Sequence, residues 1–228
     1  MSVARILIVG DEILHGEIQD VNGPWLVDSL NSCGVEIDLL SIIPDKLEFI
    51  CKKIQRNRKV DYLLISGGIG PTHDDKTREA LARALNKPLV KNSYTMQLLE
   101  EHYGSDLNKP REEMAMLPEN SEVIYLPETP SIAFRTENIY VFPGVPSLLK
   151  PLFKKWEHRF SGQKCFSYSL TLTAREGDIA KKLQELQIRH DNLQFASYPH
   201  AEKITLLVRG YDQEEFQQGK KDLQNYFS

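Results

Sequence analysis

The stretch VDYLLISGGIGPTHDDKTREALARALN (60–86) holds a complete strand, turn and helix. VDYLLIS (60–66) is a short apolar run of the kind a strand buried on both faces requires. Gly67, Gly68 and Gly70 supply a tight turn. KTREALARALN (76–86) then puts Ala80, Leu81, Ala84 and Leu85 on one face at helical spacing. Between strand and helix stand His73 and two adjacent carboxylates, Asp74 and Asp75, which repel each other. A phosphate-binding turn more usually carries a lysine at that point. Either a cation arrives with the ligand, or the acids simply suit the positive end of the helix.

The same unit recurs upstream. VARILIVG (3–10) and VEIDLLSII (35–43) read as strands. GPWLVDSLNSCG (23–34) and DKLEFICKKIQRN (45–57) read as helices, the first with Leu26, Leu30 and Cys33 on one face, the second with Leu47, Ile50, Cys51 and Ile54. Alternation at these lengths suits right-handed crossovers and predicts a doubly wound, mainly parallel sheet covered on both faces. Farther on, SYTMQLLEEHYG (93–104) and EEMAMLP (112–118) read as helix, and SEVIYLP (121–127), SIAFRT (131–136) and IYVFPG (139–144) as short strands. VPSLLKPLFKKWEHRF (145–160) is expected to be a helix that Pro151 kinks or restarts.

After SGQK (161–164) the texture changes. FSYSLTLT (166–173) alternates apolar and polar residues, the pattern of a strand with one wet face. Helix (176–186), strand (193–199), strand (203–210) and helix (213–227) follow. Two domains are expected: an α/β domain over 1–160 and a small α+β unit, β-α-β-β-α, over 164–228.

Lys and Arg number 28 against 32 Asp and Glu, a formal charge of −4 that argues against nonspecific nucleic-acid binding. Cys33, Cys51 and Cys165 are odd in number and include no C-x-x-C, which fits reduced thiols in a cytosolic protein. The N-terminus lacks the form of a signal peptide. No stretch approaches the ~20 apolar residues of a membrane span. A soluble, cytoplasmic protein is expected.

Four loops bear the chemistry. Three follow the leading strands at their carboxyl ends, where open α/β sheets bind ligands: GDEILHGEIQDVN (10–22), the PD dipeptide (44–45) and GGIGPTHDD (67–75). The fourth is PGVPS (143–147), a turn opening a helix. Each has a plain reading. Asp45 with Glu48 forms a capping-box pair, Asp74 and Asp75 complement a helix dipole, and His73 is an ordinary surface residue. Asp11 and Glu12 are loop acids. Acid-rich loops converging on one crevice instead suit Mg²⁺ or Mn²⁺ bound together with substrate phosphates. Composition and spacing lead to a nucleotide-like ligand and stop there.

GDEILHGEIQDVN together with SGGIGPTHDDKTREALA (66–82) resembles the signature segments of the MoaB/MogA-type molybdopterin-binding domain. Within that family it is similar to the CinA N-terminal branch and to the N-terminal domain of eukaryotic FAD synthases. IYVFPGVPSLL (139–149) is similar to that family's LPGVP segment, with Phe142 for the leucine. The resemblance covers roughly 1–160 and extends weakly through LQFASYP and KITLLVRG. It implies a three-layer α/β fold whose pocket takes molybdopterin or an ADP-containing nucleotide, with catalytic acids at Asp45 and Asp75. It implies a homo-oligomer, since relatives form dimers or trimers. It also implies metal-dependent pyrophosphatase activity, on ADP-ribose in the CinA-like branch and on FAD in the FAD-synthase branch. GDE with the double aspartate places the chain nearer these branches than MogA. Where the CinA pattern has NPxGTAPGF, this chain reads LPETPSIAF (126–134), which leans toward the FAD-synthase branch or a divergent specificity. With the chain ending at Ser228, neither nicotinamide-nucleotide deamidation nor FAD synthesis is expected.

The expected function is therefore hydrolysis of a dinucleotide diphosphate with Mg²⁺, Mn²⁺ or Co²⁺. Asp11, Asp74 and Asp75 are the expected metal ligands, and Asp45 and Asp75 the catalytic acids. Amides of Gly67, Gly68, Gly70 and Gly144 would cradle phosphate, and Asn22 and Thr72 would position the ligand. The alternatives are a non-catalytic pterin- or nucleotide-binding protein and a molybdopterin adenylyltransferase.

Overall fold

The computed structural model describes residues 1–227, which fall into two compact units, Met1–Gly162 and the segment from Gln163 onward. The first unit runs β1 (Val3–Val9), α1 (Asp11–Leu14), α2 (Asn22–Ser32), β2 (Glu36–Ile43), α3 (Leu47–Asn57), β3 (Tyr62–Ser66), α4 (Thr77–Leu85), β4 (Leu89–Lys91) and α5 (Ser93–Tyr103). It continues with α6 (Lys109–Glu113), β5 (Met116–Pro118), β6 (Glu122–Tyr125), β7 (Ile132–Thr136), β8 (Ile139–Phe142) and α7 (Pro146–Trp156).

Six strands form one sheet in the order β2-β1-β3-β8-β7-β6. β1 pairs in parallel with β2 and β3, and β3 with β8. β7 runs antiparallel to both β8 and β6. Period-two alternation sends each strand's residues to opposite faces. Leu7 and Val9 of β1 pack with Ile50 and Ile54 of α3 and with Ala80, Leu81 and Ala84 of α4. Ile6 and Ile8 pack on the other face with Leu26 and Leu30 of α2 and with Leu149, Leu152, Phe153 and Trp156 of α7. The fold is the three-layer α/β arrangement, and this two-sided burial is why the strands read as unbroken apolar runs. Each fully buried Leu or Ile contributes ~1.5–3 kcal/mol.

Because β2, β1, β3 and β8 run parallel, their carboxyl ends lie along one edge of the sheet and bring the four chemistry-bearing loops there. β2 and β3 flank β1 on opposite sides, which is the strand-order reversal where such sheets open a crevice.

Two expectations are corrected. EEMAMLP is only partly helical: α6 ends at Glu113, and β5 takes Met116–Pro118 into a two-stranded pairing with β4, Val90 opposite Leu117. Asn108 caps α6 and Pro110 sits in its first turn, so the helix starts earlier than periodicity suggests. Of the two outcomes expected at Pro151, a restart is not seen: α7 runs continuously through it. Pro151 and Ser147 are both exposed, so water can serve the Ser147 carbonyl that the proline leaves without a helical donor.

The second unit is β9 (Phe166–Leu172), α8 (Glu176–Arg189), β10 (Gln194–His200), β11 (Lys203–Gly210) and α9 (Gln213–Phe227), in the expected β-α-β-β-α order. Its antiparallel sheet, β10-β11-β9, buries Ile204, Leu206 and Val208 against Ile179 and Leu186 of α8 and Phe216 and Leu223 of α9. Among the described residues, no helix is long and apolar enough to cross a membrane.

Candidate active site

The sheet edge opens into a cavity of about 590 Å³. Glu12, Asp20 and Asn22 from the first loop, Asp45, the turn residues Gly67 to Pro71, Asp74, Asp75 and Gly144 all line it. Tyr103, Met114, Pro130 and Ile132 form an apolar wall. The departing stretch LPETPSIAF thus reaches the pocket through Pro130, Ser131 and Ile132. Asp11 and Thr72, expected at the site, are not among the lining residues, whereas Glu12 and Asp20 are. His73 is a surface residue, its side chain 99% exposed.

The capping-box reading of Asp45 is overturned. α3 begins after Lys46 with no side-chain cap, and Asp45 Oδ2 instead accepts the Asp11 backbone N–H at 2.9 Å. This ties the loop after β2 to the loop after β1. Burial pushes the Asp45 carboxyl from its ordinary 3.8 up to about 6; the Asp11 bond opposes that, and the negative charges of Glu12, Asp11 and Asp74 add to it.

Asn22 is a brace. Its Nδ2 donates to the Gly144 carbonyl at 2.6 Å and the Ser66 hydroxyl at 3.2 Å, and Ser66 donates to the Pro143 carbonyl at 3.3 Å. The turn 143–145 is thereby held against β3. Asp20 accepts from the N–H groups of Asn22 and Gly23 at 3.0 Å each, capping α2 from one residue upstream of its usual place.

The glycine turn is the most tightly specified part of the site. Gly67, at φ +104°, lies against the Val9 carbonyl, and Gly68, at φ +69°, against the Thr77 hydroxyl, so a β-carbon at either would collide. Asp75 folds back over the turn. Its Oδ1 accepts from Gly70 N–H at 2.8 Å, and its Oδ2 accepts from Thr72 N–H at 2.8 Å and from the Thr72 hydroxyl. The Gly70 amide and both Thr72 donors therefore serve an internal carboxylate in this structure, and Gly67 N–H goes to the Phe142 carbonyl. From below, α4 holds the turn's carbonyls. Thr77 donates its hydroxyl to Gly67 at 2.9 Å and its N–H to Gly68 at 3.0 Å. Arg78 donates Nη1 to Ile69 and Nη2 to Gly70, the latter at 3.0 Å. Arg78 is the site residue that sequence reasoning passed over, since within a helix it reads as one more solvated charge.

Among the described residues, no three His, Cys, Asp or Glu side chains are grouped as a closed metal centre requires. The carboxylates that line the pocket, Glu12, Asp20, Asp45, Asp74 and Asp75, are hard oxygen donors, and the charges of Glu12 and Asp74 are felt at Asp45. A cation of the Mg²⁺ kind that arrives on substrate phosphates keeps waters and needs only one or two such carboxylates from the protein.

The sequence matches the probable molybdopterin binding domain over residues 5–159 and the FAD synthase middle domain over residues 164–228. A protein of Archaeoglobus fulgidus is 29% identical over 223 residues, covering 96% of this chain and 95% of its own length. The probable FAD synthase of Caenorhabditis elegans is 30% identical over 228 residues, covering 86% of this chain but only 43% of that enzyme. The crystal structure of the CinA protein of unknown function from Thermoplasma acidophilum superposes with a TM-score of 0.66 at 25% identity, over 70% of this chain and 99% of that one. With the motifs in place at the edge of a three-layer sheet, the chain belongs to the probable molybdopterin binding domain family.

Proposed function

We propose that the chain is a metal-dependent pyrophosphatase that hydrolyses ADP-ribose, FAD or a related dinucleotide to AMP and a second monophosphate. The observation that supports it is Asp45, a half-buried carboxyl pushed up to about 6, lining the same pocket as the glycine turn. Such a group is mostly ionised at neutral pH yet remains a useful base. In this reading it takes the proton of a water whose oxygen bonds to one phosphorus, while the bridging oxygen departs with the other phosphate. The apolar wall of Tyr103, Met114, Pro130 and Ile132 suits the flat heterocycle of such a substrate. Glu12 and Asp74 would hold Mg²⁺, Mn²⁺ or Co²⁺ carried on the phosphates, which when bound neutralises their charge and polarises phosphorus. Asp75 acts as the brace of the turn.

A binding-only domain is the second reading, favoured by the lack of a three-acid metal cluster among the described residues. The test is AMP release from ADP-ribose and from FAD, each with Mg²⁺, Mn²⁺, Co²⁺ or EDTA. Metal-dependent AMP, abolished by EDTA, is expected. No AMP from folded protein, together with a ligand-induced rise in melting temperature, would establish the binder instead.

A further inference from the structure

The turn 67–75 has no lysine directed at its ligand, yet a cation lies beneath it. Arg78 is 8% exposed, and its guanidinium donates to two backbone carbonyls, those of Ile69 and Gly70. Burial pulls its guanidinium below the ordinary arginine value, and the charges of Asp75 and Glu113 oppose that fall. Burying a guanidinium is costly, and one held by neutral carbonyls keeps its charge.

Its position has a geometric consequence. Thr77 and Arg78 take four consecutive carbonyls, Gly67 to Gly70, toward α4. In a planar trans peptide the next N–H points opposite to the carbonyl. The amides of Gly68, Ile69 and Gly70 are therefore turned away from α4, on residues that line the pocket. Gly70 N–H is taken by Asp75.

We propose that Arg78 supplies the positive charge the turn otherwise lacks for a nucleoside diphosphate: Thr77, on the carbonyls of Gly67 and Gly68, aims the Gly68 and Ile69 amides, and Arg78, on those of Ile69 and Gly70, pins the rest of the turn beside them. This rests on the reading of the turn as the phosphate end of the pocket. Lysine cannot replace it fully, because an ammonium lacks the planar fork that spans two adjacent carbonyls.

The test compares ADP with adenosine, titrated by NMR so that millimolar affinities are measured, on wild type, Arg78→Lys and Arg78→Met. Loss of a charge-assisted clamp is worth on the order of tenfold or more in affinity. ADP affinity should fall by that factor in Arg78→Met and by less in Arg78→Lys, while adenosine affinity stays unchanged. Folded Arg78→Met that binds ADP like wild type overturns the proposal. So does equal loss of ADP and adenosine, which marks a merely structural side chain. If Arg78→Met does not fold, Arg78→Lys decides by the same comparison. Wild type that binds ADP but hydrolyses no dinucleotide removes the pyrophosphatase reading and leaves Arg78 standing; wild type that does not bind ADP overturns both.

Discussion

Replacing Asp45 with asparagine is expected to remove most turnover and to make the folded protein more heat-stable above pH 6. Loss of a positioned general base costs roughly 10²–10⁴-fold in rate. Asparagine keeps an acceptor for the Asp11 N–H, so the tie between the two loops survives. The stability change follows from the carboxyl's shift from 3.8 to about 6. Below pH 3.8 Asp45 is protonated in both folded and unfolded chains, and variant and wild type should melt together. Between 3.8 and 6 the unfolded chain ionises while the folded one holds its proton, so wild type loses stability relative to the variant. Above 6 that difference is complete. Thermal melts from pH 3.5 to 8 should show the variant's advantage grow across this window and then level, at on the order of a few degrees. A constant difference across the whole range would mean that Asp45 titrates as an ordinary surface acid.

Asp75→Ala is expected to impair the site through the turn. The change strands the Gly70 and Thr72 amides and the Thr72 hydroxyl. Removing one charged partner costs about 1–3 kcal/mol, so the melting temperature should fall and dinucleotide hydrolysis should drop on the order of 10²-fold, mostly in KM. Asp75→Asn keeps one acceptor and should fall between. If Asp75 instead served a cation directly, the variant would need more metal for half-maximal rate and would melt like wild type. Steady-state kinetics at several Mg²⁺ concentrations, beside a melt, separates the two.

What could be read from the residues alone was whatever depends on local pattern or on strand order. Continuous apolar runs such as ILIV (6–9) mark the two-sided sheet, and parallel winding brings Asp45 and Gly67 to one edge although 22 residues separate them in sequence. What escaped depends on partners far along the chain. Asp45 and Glu48 have capping-box spacing, and nothing local reveals that an amide 34 residues away claims the carboxylate. The three-residue strand β5 is too short to show a period and exists because β4 lies beside it. Asp75 lines the pocket as its place after the glycine turn suggests, but spacing says nothing of its second tie, to the amides of its own turn. Arg78 was missed for the converse reason: its neighbours Ala80 and Leu81 mark the buried face, yet its own head reaches past that face to the turn.

The most direct test of the central claim, that Asp45 is the base of a diphosphate-hydrolysing pocket, is the pH dependence of kcat/KM for AMP release from pH 4.5 to 8. It should be measured on wild type and Asp45→Asn with the better of ADP-ribose and FAD. The expected wild-type profile rises with an inflection near 6, as the carboxyl's shifted value requires, and the variant's residual rate is flat through that region. A wild-type profile without an inflection near 6, or a variant that keeps both the rate and the inflection, would contradict the role of Asp45.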